Sequence, residues 1–253
     1  MPGMSYVERA NRFDDDVAGA AASANGDGAL VGLLGRPGLD ERERITLTAA
    51  LGESGNGPEG SAAVRAQFSD AMASLPLASK DARHWWRDLA CAALVALARR
   101  EGPAATDIYV TAAASAVPEV RDYGLMVLAA EGDDRAWEQV LGWVGEILSR
   151  KRISYGPWHD LLHAVEYLAR HAARGSARSE QLVVLLRANW AALARPPQKR
   201  AGHGPYVEPT METARRLEQL WPGIEPDGPP VAALDLPQLH TPVAWWRPGF
   251  RPP

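Results

Sequence analysis

The sequence has little of several features, and each shortage excludes something. A single cysteine, Cys91, excludes an internal disulfide, and its place in an apolar stretch favours a small buried side chain over a nucleophile. No apolar run approaches the roughly 18 residues that a membrane-spanning helix requires. The first residues lack a basic stretch followed by an apolar one, so we expect no secretory signal. Together these shortages favour a cytoplasmic protein that does not enter a membrane.

Lysine is scarce as well. Arginine supplies all but three of the 27 basic residues, and alanine, glycine and proline are abundant, which is typical of a GC-rich bacterial genome. Charge is unevenly distributed: residues 1–149 carry 13 basic and 22 acidic residues, whereas residues 150–203 carry 10 basic and 3 acidic residues. The basic segment permits an anionic partner, and it equally permits head-to-tail contacts between copies of the chain.

Motifs of the common enzyme classes are also missing. The chain has no dinucleotide-binding glycine pattern, no phosphate-binding loop and no GxSxG nucleophile motif. Its acidic clusters, such as Asp133-Asp134, are typical of turns and helix starts. We therefore expect no cofactor, and the sequence leans away from an enzyme.

What the chain does have is a pattern of paired amphipathic helices, clearest from Pro118 to Leu148 (PEVRDYGLMVLAAEGDDRAWEQVLGWVGEIL). Two apolar stripes of helical period flank a tight Gly-Asp-Asp joint. One such pair cannot bury its own apolar face, so several must stack. An earlier helix shows the same spacing, with its apolar stripe formed by Trp86, Leu89, Ala90, Ala93, Leu94 and Leu97.

These observations predict an all-α protein built as a short α-solenoid over residues 29–221. Residues 1–28 should be irregular or partly helical. Residues 222–253 include nine prolines and should form an extended tail. The tail carries Trp245, Trp246 and Arg247, residue types that are enriched at binding hot spots. These side chains could anchor the tail to its own solenoid or dock on a partner.

The stretch Pro118-Glu119-Val120-Arg121, followed by Val127-Leu128 and then Gly132-Asp133, resembles the pattern of HEAT-like repeats. Membership of that family implies an α-solenoid and usually a binding role. In the family an aspartate and an arginine help to tie neighbouring repeats together, and the resemblance makes Asp133 and Arg121 the candidates for that role here.

A cluster at the start of the basic segment suggests a metal site. His159, His163 and Glu166 are spaced to share one face of a helix, and two imidazoles with a carboxylate are acceptable ligands for a first-row metal. The histidine spacing is that of HExxH, but Asp160 replaces the glutamate that acts as general base in that motif. A polar outer helix face explains the same pattern without a metal.

A further resemblance concerns bacterial alkylbase DNA glycosylases built from HEAT-like repeats, which use aromatic residues and an aspartate in a basic groove. Here Trp158, Asp160 and Trp190 lie in the basic segment, and Arg150 and Arg152 precede them. The resemblance implies Asp160 as the catalytic residue, with the arginines contacting phosphates. The acidity of the whole chain departs from a typical DNA-binding domain.

The sequence therefore favours a non-catalytic, protein-binding scaffold or an inhibitor with an immunity-like role, which uses a groove of the solenoid. Nucleic-acid binding or base excision through residues 150–203 is the alternative. A metal-binding protein centred on the two histidines is a second alternative.

Overall fold

The described part of the chain is entirely helical, which confirms the predicted all-α class. A computed structural model describes residues 6–55, 57–150, 155–193, 217–219 and 221–234, and these residues contain no β-strand. Within the same ranges, no helix has both the length and the apolar character needed to cross a bilayer.

The described residues fall into two compact units. The N-terminal unit extends to Ile108, the C-terminal unit begins at Tyr109, and the boundary lies within one helix. The α-helices are α1 (Tyr6–Ala21), α2 (Gly26–Leu34), α3 (Glu41–Ser54), α4 (Pro58–Ser74), α5 (Lys80–Glu101), α6 (Thr106–Ala113), α7 (Pro118–Glu131), α8 (Trp137–Ser149), α9 (Tyr155–Arg170), α10 (Ala177–Ala188) and α11 (Trp190–Leu193).

Helix starts follow from local side-chain chemistry. Asp40 and Glu43 form a reciprocal capping box at the start of α3, in which each side chain accepts from the other residue's backbone N–H. Ser79 and Ser176 cap α5 and α10 in the simpler way, through one side-chain oxygen. Pro118 opens α7 at a position where its missing N–H costs no hydrogen bond, as the sequence predicts.

The centre of the N-terminal unit is α5, against which α3 and α4 pack. From Leu89 to Ala98 every residue of α5 is buried, and half of them are alanine. Small side chains let the helices approach closely. A Cβ added to Gly52 of α3 would lie 2.8 Å from the Cα of Ala96, which is too close for any larger residue.

A buried ion pair ties the ends of four helices of this unit together. The Arg100 side chain is completely buried, and its Nη2 donates to Asp27 Oδ2 at 2.6 Å. The same guanidinium donates to the backbone carbonyls of Leu51 at 2.5 Å and Gly57 at 2.7 Å. The Ser54 hydroxyl donates to the other Asp27 oxygen at 2.8 Å. The hydrogen bond from Arg100 is the main reason that the pKa of Asp27 lies below its usual range.

In the C-terminal unit, α7 and α8 both pack against α9. Their facing stripes bury Leu128, Val144 and Leu168 completely. The end of α6 approaches α7 so closely that a Cβ on Gly124 would lie 2.4 Å from the backbone nitrogen of Ala113. Glycine at this position therefore sets the distance between the two helices.

The end of α9 holds the joint between α7 and α8. The Tyr167 hydroxyl donates to the carbonyl of Asp133 at 2.5 Å, and Arg170 donates to the last carbonyls of α7. His171 Nε2 lies 3.1 Å from the carbonyl oxygen of Gly132, to which the neutral ring donates. Burial, reinforced by the neighbouring arginine, lowers the pKa of His171, so the ring is neutral at pH 7.

A turn-rich segment, residues 221–234, packs on α10. Arg187 of α10 donates to the carbonyls of Gly223, Ile224 and Pro229 at 2.9 to 3.2 Å. The segment ends in a short 3-10 helix, Val231–Ala233. Its anchoring side chains, all buried, are Trp221, Ile224 and Leu234. The predicted tail therefore begins with a stretch that is tied to α10, and residues 235–253 lie outside the described residues.

Helix α4 begins at Pro58, because proline is well suited to a first helical position. Helix α9 begins at Tyr155, two residues before Pro157. One local expectation needs correction. Trp86, expected on the buried stripe of α5, is half-buried, and the guanidinium of Arg44 lies 5.2 Å from its ring centre.

Candidate functional site

A cavity of about 360 Å³ opens in the C-terminal unit, among the end of α6 and helices α7, α8 and α9. Its apolar lining comes from Leu125, Trp143, Ile147 and small alanines. The volume falls within the range of about 300–1,000 Å³ that is typical of ligand pockets. Ligand pockets also combine apolar walls with polar groups, as this lining does. We call it the α7–α9 cavity.

Three helices each present one stripe to this cavity. Helix α7 contributes Arg121 and Leu125, and α9 contributes Asp160 and Ala164, in both cases four residues apart. Residues at this spacing share a helix face. The lining residues of α8 and its cap follow the same rule, at positions 143, 146, 147 and 150.

An ion pair between α7 and α9 forms part of the wall. Arg121 Nε donates to Asp160 Oδ2 at 2.7 Å, and Arg121 Nη1 donates to the carbonyl of Ser115 at 3.2 Å. The Asp160 side chain is only 9% exposed, so its charge is largely removed from water. Two anchoring bonds fix the plane of the guanidinium beside the cavity.

A second, more exposed ion pair lies at the end of α8. Arg150 Nη2 donates to Glu146 Oε1 at 3.0 Å, one helical turn apart. The two side chains remain 43% and 69% exposed, so the pair contributes little to stability. Its effect is to hold the Arg150 guanidinium near the cavity.

The structure brings together only some of the residues singled out from the sequence. Arg150 and Asp160 both line the α7–α9 cavity. Trp190 forms the start of α11, is half-buried and does not line this cavity. The other candidates lie outside the described residues, either entirely (Arg152, Trp245, Trp246 and Arg247) or in their side chains (Trp158 and His159).

Two of the proposed metal ligands do meet. His163 Nδ1 lies 3.2 Å from Glu166 Oε2, and His163 Nε2 lies 3.8 Å from Asp122 Oδ1 of α7. Among the described side chains, however, no group of three or more His, Cys, Asp or Glu residues has the geometry to hold a metal. Since the side chain of His159 is not among them, the metal hypothesis stays a prediction.

The described arginines of the basic segment are bonded to other groups of the chain. Arg170 and Arg187 donate to backbone carbonyls, as described above, and Arg174 donates to the carbonyl of Ala232 at 3.3 Å. Arg178 pairs with Asp134 at 2.9 Å. With Arg150, every described arginine between residues 150 and 193 thus has a partner within the chain. In the described part of this segment, the arginine charge is therefore in large part structural.

The two residues that the HEAT-like resemblance singled out take different parts in tying helices together. Arg121 joins α7 to α9 through Asp160. Asp133 pairs locally with Arg135 at 2.7 Å, and its backbone carbonyl is held by α9. The neighbouring Asp134 makes the ion pair to a residue distant in the chain, Arg178 of α10.

Sequence reasoning missed Trp143 and Glu146 of this cavity. Both lie off the buried stripe of α8. The signal available in the sequence was their spacing with Arg150: Glu146 and Arg150 lie three and seven residues after Trp143, which places all three on one helix face. The chain matches no protein-family model, and it shows no significant similarity to a curated protein or to a solved structure.

Proposed function

We propose that this protein is a non-catalytic binding protein, of the scaffold or inhibitor type, which receives a segment of a partner protein in the α7–α9 cavity. The observation that carries the proposal is the cavity itself. It combines a volume of about 360 Å³, a half-buried Trp143 and a lining of apolar side chains interspersed with polar groups. An immunity-like role, in which the protein neutralises its partner, is one form of this function.

The pairing of the charged groups supports binding over catalysis. Asp160 is held by Arg121, and Glu146 is paired with Arg150. A general base needs a carboxylate that can accept a proton from a substrate, and a strong ion pair with arginine opposes protonation. The Ser115 hydroxyl accepts a hydrogen bond from the Val117 N–H at 3.1 Å, and neither histidine nor cysteine is among the described residues that line the cavity.

Affinity capture from the native cell extract tests the proposal when it is combined with a blocking variant. Ala114 is exposed and lines the cavity, so Ala114→Trp should close the entrance without disturbing the core. Ala188, exposed at the end of α10, gives the matched control Ala188→Trp. We expect the natural sequence and the control to retain one near-stoichiometric protein that survives nuclease treatment, and Ala114→Trp to lose it. Equal retention by all three would reject the cavity as the binding site.

Nucleic-acid binding is the second candidate, because Arg150 and Asp160 line the same cavity as Trp143. An indole can stack on a base, and arginine can contact phosphates. This candidate predicts retention that is lost on nuclease treatment and affinity that falls steeply with salt. Base excision would further require that Asp160→Asn abolish release of an alkylated base.

A further inference from the structure

The hydrogen-bonding groups of the α7–α9 cavity are mostly donors. Arg121 uses its Nε and one Nη1 proton within the described part of the chain, and the other guanidinium donors have no partner there. Within the same described residues, Arg150 donates only through Nη2, to Glu146. The Ser115 hydroxyl acts as an acceptor, which leaves its proton for a ligand. A ligand that satisfies this set must present acceptors.

The acceptors nearby are already committed. Asp160 accepts from Arg121, and burial leaves its carboxylate with little access to solvent. Glu146 is paired with Arg150 and stands 69% exposed at the edge, where water solvates its remaining oxygen lone pairs. Because guanidinium donors bind an anionic acceptor more strongly than a neutral one, a carboxylate is the best match to the unused donors.

The rest of the lining requires an apolar group next to that carboxylate. Leu125, Ile147 and Ala164 offer aliphatic surface, and Trp143 offers a flat aromatic one. A terminal residue of a protein places an apolar side chain beside a carboxylate on the same Cα. Aspartate and glutamate side chains instead carry the carboxylate alone and would leave the apolar lining unfilled.

We infer that the α7–α9 cavity captures the C-terminus of the partner protein, with the terminal carboxylate on Arg121 and Arg150 and an apolar last side chain against Trp143. This inference rests on the proposed protein-binding function and names the part of the partner that is recognised. Capture of a C-terminal carboxylate is an established mode of peptide recognition, in which backbone N–H groups commonly supply the donors. Here the guanidinium groups would supply them.

Peptide titrations followed by two-dimensional NMR of the full chain test the inference. The probes are an acetylated hexapeptide that ends in leucine with a free carboxylate, the same peptide as its C-terminal amide, and a version that ends in serine. A fourth probe, 4-methylpentanoate, supplies the same side chain and carboxylate without a peptide. We expect the free acid to bind about tenfold or more tightly than the amide, because the amide loses the charge-assisted hydrogen bonds.

Variants assign the preference to the two arginines. Arg150→Gln removes the exposed guanidinium and should reduce the preference for acid over amide. The double variant Arg121→Met with Asp160→Asn removes the charges of both members of the buried pair together, so neither partner is left as an isolated buried charge. It should abolish the preference, provided that its thermal unfolding remains cooperative. Ala114→Trp should block every peptide, and Ala188→Trp should block none.

Each alternative outcome is distinct. Equal binding of acid and amide, blocked by Ala114→Trp, would overturn recognition of the carboxylate and leave the protein-binding cavity in place. Binding of 4-methylpentanoate as tightly as the peptide would overturn the C-terminus in favour of a free small acid. Failure of all the probes at millimolar concentration would overturn the inference, while the capture experiment would still decide the proposed function.

Discussion

Replacing Arg100 by methionine removes the centre of the buried ion pair in the N-terminal unit. Methionine keeps most of the side-chain length but donates no hydrogen bond. The variant therefore leaves the Asp27 carboxylate with the Ser54 hydroxyl as its side-chain donor within the described residues, and it removes the arginine donor from the carbonyls of Leu51 and Gly57.

The expected cost follows from these losses. Removing one member of a buried pair typically costs about 3–5 kcal/mol, because the remaining charge stays desolvated. The carbonyls of Leu51 and Gly57 keep other donors, the Ser54 hydroxyl and the Ser61 N–H. Each hydrogen bond lost from Arg100 therefore adds only about 0.5 kcal/mol. Since Asp27 keeps about an eighth of its side-chain surface exposed, water can partly solvate it, and we expect the free energy of unfolding to fall by about 4 kcal/mol.

Urea unfolding followed by circular dichroism measures this change, and hydrogen exchange of the α5 amides assigns it to the N-terminal unit. The second probe is needed because two compact units can unfold separately. Arg36→Gln is the matched control, since its pair with Asp16 is about half exposed on both sides and should be worth less than about 1 kcal/mol. An Arg100→Met variant no less stable than this control would refute the assignment of Arg100 as the tie between the helix ends.

The same pair predicts a dependence on pH. The pKa of Asp27 is lowered in the folded chain from an ordinary value of 3.8, so its ionised form favours folding. The stabilisation is fully present above that ordinary value and is lost as the pH falls through the lower, folded-state pKa. The stability difference between the natural sequence and Asp27→Asn should therefore be constant near neutrality and shrink in acid below about pH 4. A difference that persists unchanged at low pH would contradict the ion pair.

Three other substitutions test the packing of the C-terminal unit. Because the pKa of His171 lies below its ordinary 6.5, the stability that its neutral ring provides should fade as the pH drops below that value, and His171→Gln should flatten the stability profile between pH 7.5 and 5. Gly124→Ala should cost about 1–3 kcal/mol through overpacking, whereas Gly142→Ala on open helix surface should be neutral or stabilising; equal effects would argue against the close approach of α6 and α7. Arg187→Gln should speed proteolysis within residues 221–234, detected by mass spectrometry, while leaving α10 protected from hydrogen exchange.

Much of the local structure could be predicted because it depends on short-range chemistry. Pro118, Gly132 and the apolar period between and after them define α7, its joint and α8, and the helices begin and end where this pattern predicts. The first helix is less visible in the sequence because it is polar. Within its described side chains only Val17 is buried, and the helix is held largely by ion pairs such as that of Arg9 with Glu43.

The cavity could be predicted only in part, because its charged wall joins residues that are distant in the chain. Arg121 and Asp160 each drew attention from the sequence, one for a repeat tie and the other for catalysis. Their ion pair spans 39 positions, and nothing in the spacing of either residue reveals it. Net charge misleads for the same reason, since it does not distinguish an arginine in solvent from one that donates to buried carbonyls.

The multiple carbonyl contacts of Arg100 and Arg187 also constrain how the sequence can change. Each side chain uses two nitrogens of the flat, forked guanidinium to reach two or more backbone carbonyls at once. Lysine offers a compact charge on a flexible stem and cannot reproduce that geometry. An exchange of Arg36 for lysine should therefore have little effect, whereas the same exchange at Arg100 or Arg187 should lower the stability. At these two positions the scarcity of lysine is a requirement of the fold.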